Sequence, residues 1–259
     1  PMTKAMEHEQ SGIFNDEYFS YQWNLYNDGS IDENAVPGAD VGVKDAWRLT
    51  GGDPSVVVAI FDCAVANRHE DLQDALWQNE AEVNGQADVD DDGNGFIDDK
   101  YGFNFVNCYS IDAEYVEGAL KGQKQTALKG NPLNSTAGSG HGTHVAGIIG
   151  ATNNNGKGVS SIAGGTGNGD GVRLMTCQIF QGSSYCADAQ NAAAFIYAAD
   201  NGACIAQCSY GNANIITSDD IYINGGEIEH DGQTIKVNSS TLENAALKYF
   251  LDPANSNHE

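Results

Sequence analysis

The run Val56-Val57-Val58-Ala59-Ile60-Phe61 is apolar throughout, mostly β-branched, and bounded by Gly51, Gly52 and Pro54 before it ends on Asp62. A continuous run of this kind, with no polar alternation, reads as a strand buried on both faces. Such a strand needs cover above and below, which constrains the rest of the chain more than any other feature.

A second unit supplies the pattern that goes with it. Val172 to Phe180 reads as a strand, Asp188 to Asp200 as an Ala-rich helix closed by Asn201-Gly202, and Ala203 to Gln207 as a short strand. Strand, helix and strand at this spacing form a right-handed crossover in a parallel sheet, and Gly202 suits the left-handed residue at which a helix ends. The predicted fold class is α/β, a mainly parallel sheet flanked by helices.

The 259 residues carry 12 basic and 36 acidic side chains, a net charge of -24. That balance argues against a nucleic-acid partner, which would need clustered Lys and Arg, and makes divalent cations the expected partners. No stretch approaches the roughly 18 apolar residues of a membrane span, and Pro1-Met2-Thr3-Lys4 lacks the order of a secretory signal. Residues 1–14 are expected to be a residual leader or pro-segment, and 15–259 one domain. Residues up to about 50, rich in aromatics such as Tyr18, Phe19, Tyr21 and Trp23, read as an arm laid over that domain. Cys63, Cys108, Cys177, Cys186, Cys204 and Cys208 have no zinc-ribbon spacing; bridges and buried thiols account for them equally well.

Asp88 to Gly140 reads as a long irregular region too rich in Asp, Asn and Gly to be core. Within it, Asp88-Val89-Asp90-Asp91-Asp92-Gly93-Asn94-Gly95-Phe96-Ile97-Asp98-Asp99 alternates carboxylates with Gly, the pattern of an EF-hand-like loop around calcium. Two registers fit. One opens at Asp88, turns at Gly93 and closes at Asp99; the other opens at Asp90 and uses Asn94, Gly95 and Asp98. Asp90 and Asp92 are ligands in both, and Asp90, Asp92, Asn94 and Asp98 are the expected set. Beyond the middle of the chain, Ile221 to Gly226 and His230-Asp231-Gly232 read as hairpin turns. A last helix is expected from a capping box of Ser240 and Glu243 to about Leu251.

Asp62 falls at the carboxyl end of the first strand, where ligands gather in open parallel sheets. His141-Gly142-Thr143-His144-Val145-Ala146-Gly147 reads as a helix start whose small residues at 142, 146, 147 and 150 allow close packing. A carboxylate at a strand end facing an imidazole at a helix start can fix the tautomer of a general base.

The His141 to Gly147 run resembles the histidine block of the subtilisin-like serine proteases at every position, and Val57 to Asp62 resembles their aspartate block. The likeness extends to Asn15-Asp16, Gln22-Trp23 and Lys44-Asp45-Ala46-Trp47. It implies a subtilisin-like fold, with Asp62 as orienting aspartate, His141 as general base and His144 as a structural residue one turn deeper. It also implies a second calcium site in which Asp16 and Asp71 meet the Asn153 to Gly158 loop, with Asn155 or Asn154 completing it. Ser209, Tyr210 and Gly211 resemble the Ser-x-Gly edge that pairs with substrate backbone, and Gly182 and Ser183, in the stretch to Ser184, are the further residues along which substrate is expected to extend. Cys63-Ala64 depart from the family's Thr or Ser followed by Gly.

The family's asparagine block, Ala-Gly-Asn, and its nucleophile block, Gly-Thr-Ser-Met-Ala, do not occur in residues 1–259. Ser139, Ser160, Ser161, Ser183, Ser184 and Ser209 lie in no nucleophile elbow, and Cys63 or Cys208 is the remaining substitute. The expectation is a serine endopeptidase, secreted or at the cell surface. A carboxy-terminal fragment would carry its catalytic Ser and complete a sheet left incomplete in this chain, and proteins or peptides would be its substrates. The alternative is a non-catalytic, calcium-dependent binding or scaffold protein of the same shape.

Overall fold

The computed structural model describes residues 14–106, 108–114, 124–130, 140–181, 184–210, 222–224, 227–230, 233–236 and 241–255. Residues 1–13, Gly182, Ser183, Gly211 and the turns expected at 225–226 and 231–232 lie outside them, as does Ser240 of the expected capping box.

The central layer is a parallel sheet built from β1 (Val57–Asp62), β3 (Gly102–Asn104), β6 (Arg173–Gln178) and β9 (Ala203–Cys208), in the order β3-β6-β1-β9. In register, Val57 pairs with Arg173 and Asp62 with Gln178 on one side of β1, while Phe61 pairs with Cys208 on the other. Every residue of β1 is buried. Its alternate side chains divide between two cores: Val57, Ala59 and Phe61 enter one, and Val58 and Ile60 the other. The first is roofed by helix α4 (Asp188–Asp200) and helix α5 (Thr241–Phe250), where Phe61 stacks on Phe195 with ring centroids 4.3 Å apart. The second is roofed by helix α3 (His141–Gly150) through Val145 and Ala146. Burying a side chain such as Phe61 completely is worth roughly 2–3 kcal/mol, so the apolar run fixes the middle of the fold.

Among the small residues of α3, Gly142 and Gly150 are required by packing. A Cβ on Gly142 would meet the Ala64 carbonyl at 2.5 Å, and one on Gly150 would press on Leu174 at 3.1 Å. A Cβ on Gly147 would meet nothing among the described residues. The expected helix end at Gly202 is present, with φ of 80° and its amide bonded to Ala199.

The region from Asp88 to Gly140 departs from the irregular segment expected. It holds β2 (Phe96–Ile97), β3, β4 (Tyr109–Glu114) and β5 (Lys124–Lys129), with β2, β5 and β4 forming a second sheet. Phe103 and Phe105 reach the core beside Tyr197. Short helix α2 (Glu80–Asn84) precedes it, and β7 (Phe180–Gln181) pairs with β8 (Ser184–Tyr185). Strands β10 (Tyr222–Asn224), β11 (Glu227–His230) and β12 (Gln233–Lys236) form an antiparallel meander.

The amino-terminal arm, with helix α1 (Val43–Ala46), packs Phe19, Leu25 and Val43 into a cluster of its own. It is tied to the body by the Tyr18 amide on the Gly158 carbonyl and by Trp47 Nε1 on the Ile162 carbonyl. On the opposite side the sheet ends at β9, where Ile205 is 47% exposed. No helix among the described residues is long and apolar enough to cross a membrane.

Candidate active site

β1 delivers Asp62 to the carboxyl end of the sheet, and α3 begins with His141 directly above it. His141 Nδ1 lies 2.8 Å from Asp62 Oδ2 and 3.0 Å from Oδ1. The aspartate side chain is 3% exposed and the imidazole 48%. An ionised carboxylate only accepts hydrogen bonds, so Nδ1 carries the proton and Nε2 presents its lone pair. Asp62 is held in turn by the Cys63 amide on Oδ1 at 2.7 Å, and its carbonyl accepts the Ile179 amide at 2.9 Å. The segment between strand and helix braces the helix start, since the Ala66 amide donates to Thr143 Oγ1.

His144 is not one turn deeper. It is exposed and lines a cleft of about 500 Å³ with Glu17, Tyr18, His69 and Ile148. Residues three apart on a helix share a face, so His144 follows half-exposed His141 to the outside.

Ser209 and Tyr210 continue β9 just past the level of Asp62. Gln207 Nε2 donates to Ser209 Oγ, and the Tyr210 ring packs edge-on against Phe180 at 5.1 Å. Among the substitutes weighed for the nucleophile, Ser139 and Ser183 lie outside the described residues, and Cys208 is an exposed thiol. Ser160 and Ser161 are buried, their hydroxyls bonded to Asp16 and to the Ala151 carbonyl. Cys63 is buried, and burial raises its thiol above the usual range. All six cysteines are unbridged.

In the acidic loop the structure brings Glu82, Asp90 and Asp92 together, each offering an oxygen within 4.8 Å of the others. Glu82, from α2, lies eight positions before Asp90 and outside both expected registers. Its two oxygens accept the Asp91 amide at 2.6 Å and the Asp98 amide at 3.0 Å, folding the loop around it. Asp90 Oδ1 takes the Gly93 and Asn94 amides and Oδ2 the Gly95 amide, turns that Gly93 and Gly95 permit with φ of 76° and 93°. Asp98 is not brought into the group; its Oδ2 accepts the Asp88 amide and its Oδ1 lies 3.8 Å from Lys100 Nζ. Asp88 itself pairs with Lys129. Asn94 turns its Nδ2 to buried Asp99, which also accepts Tyr197 Oη and Asn79 Nδ2.

Burial is the main cause that pushes Glu82 up to about 8 and Asp99 to about 6, with neighbouring Asp92 adding to both. Burial raises Asp90 as well. A hard, all-oxygen donor set, buried Glu82 and Asp90 with exposed Asp92 around glycine turns, suits calcium.

The arm site also comes together. Asp16 accepts the Asn155 amide on Oδ1, the Asn154 amide on Oδ2 at 3.0 Å, and the Ser160 hydroxyl. Asp71 accepts Asn155 Nδ2 at 2.9 Å and the Val159 amide at 2.9 Å. Asn155, rather than Asn154, therefore reaches both carboxylates. Burial, aided by Asp71, raises Asp16 against these donors.

The chain is 32% identical over 151 residues to subtilisin-like protease 1 of Plasmodium vivax, covering 58% of this chain and 19% of that protein. It is 29% identical over 164 residues to the Plasmodium berghei (strain Anka) protein of that name, covering 62% and 21%. The chain thus spans about a fifth of the length of these curated relatives. Among solved structures, the nisin leader peptidase NisP from Lactococcus lactis aligns with a TM-score of 0.46 at 20% identity, over 90% of this chain and 48% of that one. The Aeromonas sobria serine protease, solved with its chaperone, aligns at 0.48 and 20% identity, over 78% and 26%. A family model described as the subtilase family matches residues 53–258, a span that takes in Asp62, His141 and both sides of the central sheet; the chain belongs to the subtilase family.

Proposed function

We propose that this chain supplies the aspartate and histidine of a subtilisin-type serine endopeptidase, with the serine and the oxyanion asparagine provided by polypeptide outside residues 1–259. The observation that carries this reading is the 2.8 Å contact of exposed His141 with buried Asp62. His141 Nε2 takes the proton of the serine Oγ as that oxygen attacks the substrate carbonyl carbon. The resulting imidazolium, stabilised by Asp62, then gives the proton to the leaving amine nitrogen as the peptide bond breaks. Water repeats the sequence on the acyl-enzyme and frees the serine.

Substrate would lie extended along Ser209 to Gly211, facing Gly182 and Ser183. The half-exposed edge of β9 supports a partner segment that completes the sheet, because an apolar edge strand otherwise invites unwanted pairing. Calcium would be held by Glu82, Asp90 and Asp92 in the loop, and by Asp16, Asp71 and Asn155 at the arm; bound there, it supplies charge neutralisation rather than chemistry. A secreted or cell-surface protein fits such sites.

Treating the purified protein in calcium with a fluorophosphonate, then locating the label by denaturing mass spectrometry, tests the reading. Label on a serine outside residues 1–259, lost in His141→Ala, is expected. Label on Cys63, or no label on any polypeptide of a folded preparation, would sink it.

A further inference from the structure

Between Asp62 and α3 the chain passes through Cys63 and Ala64, which are 7% and 1% exposed. The first amides of a helix have no partner within the helix and are ordinarily taken by the side chain of the N-cap residue. Here the N-cap is Gly140, which has no side chain to offer. The Gly142 amide, next after His141, donates instead to Cys63 Sγ at 3.4 Å. The Cys63 amide in turn holds Asp62 Oδ1 at 2.7 Å, so one residue touches both the helix start and the aspartate. Gly142 cannot retreat from this contact, because its Cα already sits against Ala64, where a Cβ would come to 2.5 Å from the carbonyl. Ala64 is held at φ of 77°, in the left-handed region that an L residue ordinarily avoids.

We propose that Cys63 is a positioning residue of the Asp62–His141 pair: its thiol accepts the orphaned amide of α3 while its own amide holds the Asp62 carboxylate, fixing where the imidazole meets it. The thiol acts as a helix cap supplied from the neighbouring strand. Its importance for turnover rests on the protease reading above, whereas its effect on the pair does not. A serine or threonine hydroxyl could accept the same Gly142 amide, and valine could not.

The test compares Cys63→Thr with Cys63→Val, which match in shape and differ in the hydroxyl, with Cys63→Ser beside them, all in the full-length protein. Two quantities are read: kcat and KM on a peptide substrate, and the low-field NMR resonance of the His141 Nδ1 proton. Cys63→Thr and Cys63→Ser should stay within about twofold of the native kcat. Cys63→Val should lose about tenfold in kcat with KM little changed, because small misplacements of a base are costly, and its low-field resonance should move upfield. Equal kcat and an unmoved resonance in Cys63→Val would overturn the proposal, as would loss of activity in Cys63→Ser and Cys63→Thr alike. If the native protein neither hydrolyses peptides nor takes a fluorophosphonate, the protease reading fails; the resonance still decides whether Cys63 holds the pair.

Discussion

In the acidic loop Glu82, Asp90 and Asp92 face one another, whereas at the arm Asp16 and Asp71 face N–H and O–H donors from the 154–160 segment. Glu82, Asp90, Asp16 and Asp71 are buried and Asp92 is exposed, and both clusters use a turn rich in Asn and Gly. In the loop the amides bend the backbone, and burial, with neighbouring carboxylates adding to it, pushes Glu82 up to about 8. At the arm Asn155 Nδ2 stands beside Asp71 where a further carboxylate could have been. A carboxylate among donors is close to satisfied by protein alone, while carboxylates among carboxylates are satisfied only by a proton or a cation. On the calcium reading, the loop is therefore the region whose folding depends on the ion, and the arm the region the ion merely tightens.

Removing calcium should show the largest difference. An ion bound at a thousand times its dissociation constant stabilises by about 4 kcal/mol, so chelation should lower the melting temperature by on the order of 10 °C. Hydrogen exchange should rise first around Glu82 and Asp90 to Asp99, before it rises at Asn153 to Ser160. Equal or reversed loss of protection would break the comparison.

A second experiment asks whether a proton can replace the cation. Glu82 sits at about 8 in the fold against an ordinary 4.5, and Asp99 at about 6 against 3.8. Between those limits the unfolded chain has released protons that the fold retains, so stability of the chelated protein should fall as pH rises from about 4 to about 8 and level off above. With calcium the ion takes the place of the protons, and the fall should flatten. Glu82→Gln should cost more in saturating calcium than in chelator at pH 8, where removing the buried charge offsets part of the loss of one of its two amide bonds. Thermal melts across pH, with and without chelator, read both effects. An equal cost in both conditions would mean that Glu82 is no ligand.

Glu82 also marks the limit of what the sequence reveals. β1, α3 and the β6-α4-β9 crossover are legible because each carries a pattern longer than the noise of composition: an apolar run, a helix start with small residues, an Ala-rich helix closed by Gly. Asp62 and His141 are legible because each stands at the end of such an element. β2 and β3 span two and three residues, too short for alternation, so Phe103 and Phe105 are lost among Asp and Gly although they build the core. Glu82 belongs to a different element from the loop it enters, and its only signal is a short acidic helix just upstream. Asp98 matches the spacing of a ligand, yet the backbone at Asp98, with φ of 55°, turns its side chain toward Lys100 and leaves its amide on Glu82. Spacing along the chain predicts contacts within a turn and fails where partners come from another element.

The smallest expected effect gives the sharpest form of the comparison, because it tries to turn the arm into a second loop. Asn155→Asp keeps the oxygen that accepts the Lys157 amide and the amide that serves Asp16. It replaces only the Nδ2 donor to Asp71 with an oxygen. In chelator this should cost about 1–3 kcal/mol, the penalty for leaving a buried acceptor without its donor beside a like charge. In saturating calcium the cost should largely vanish, because the new oxygen can face the ion. Paired melts of native and variant protein decide it. A cost that is the same in both conditions would mean that the Asn153 to Gly158 loop takes no ion, and that the arm is held by its hydrogen bonds alone. A cost that appears only in chelator would mean that one donor, Asn155 Nδ2, is what separates a self-satisfied carboxylate pair from one that needs a metal.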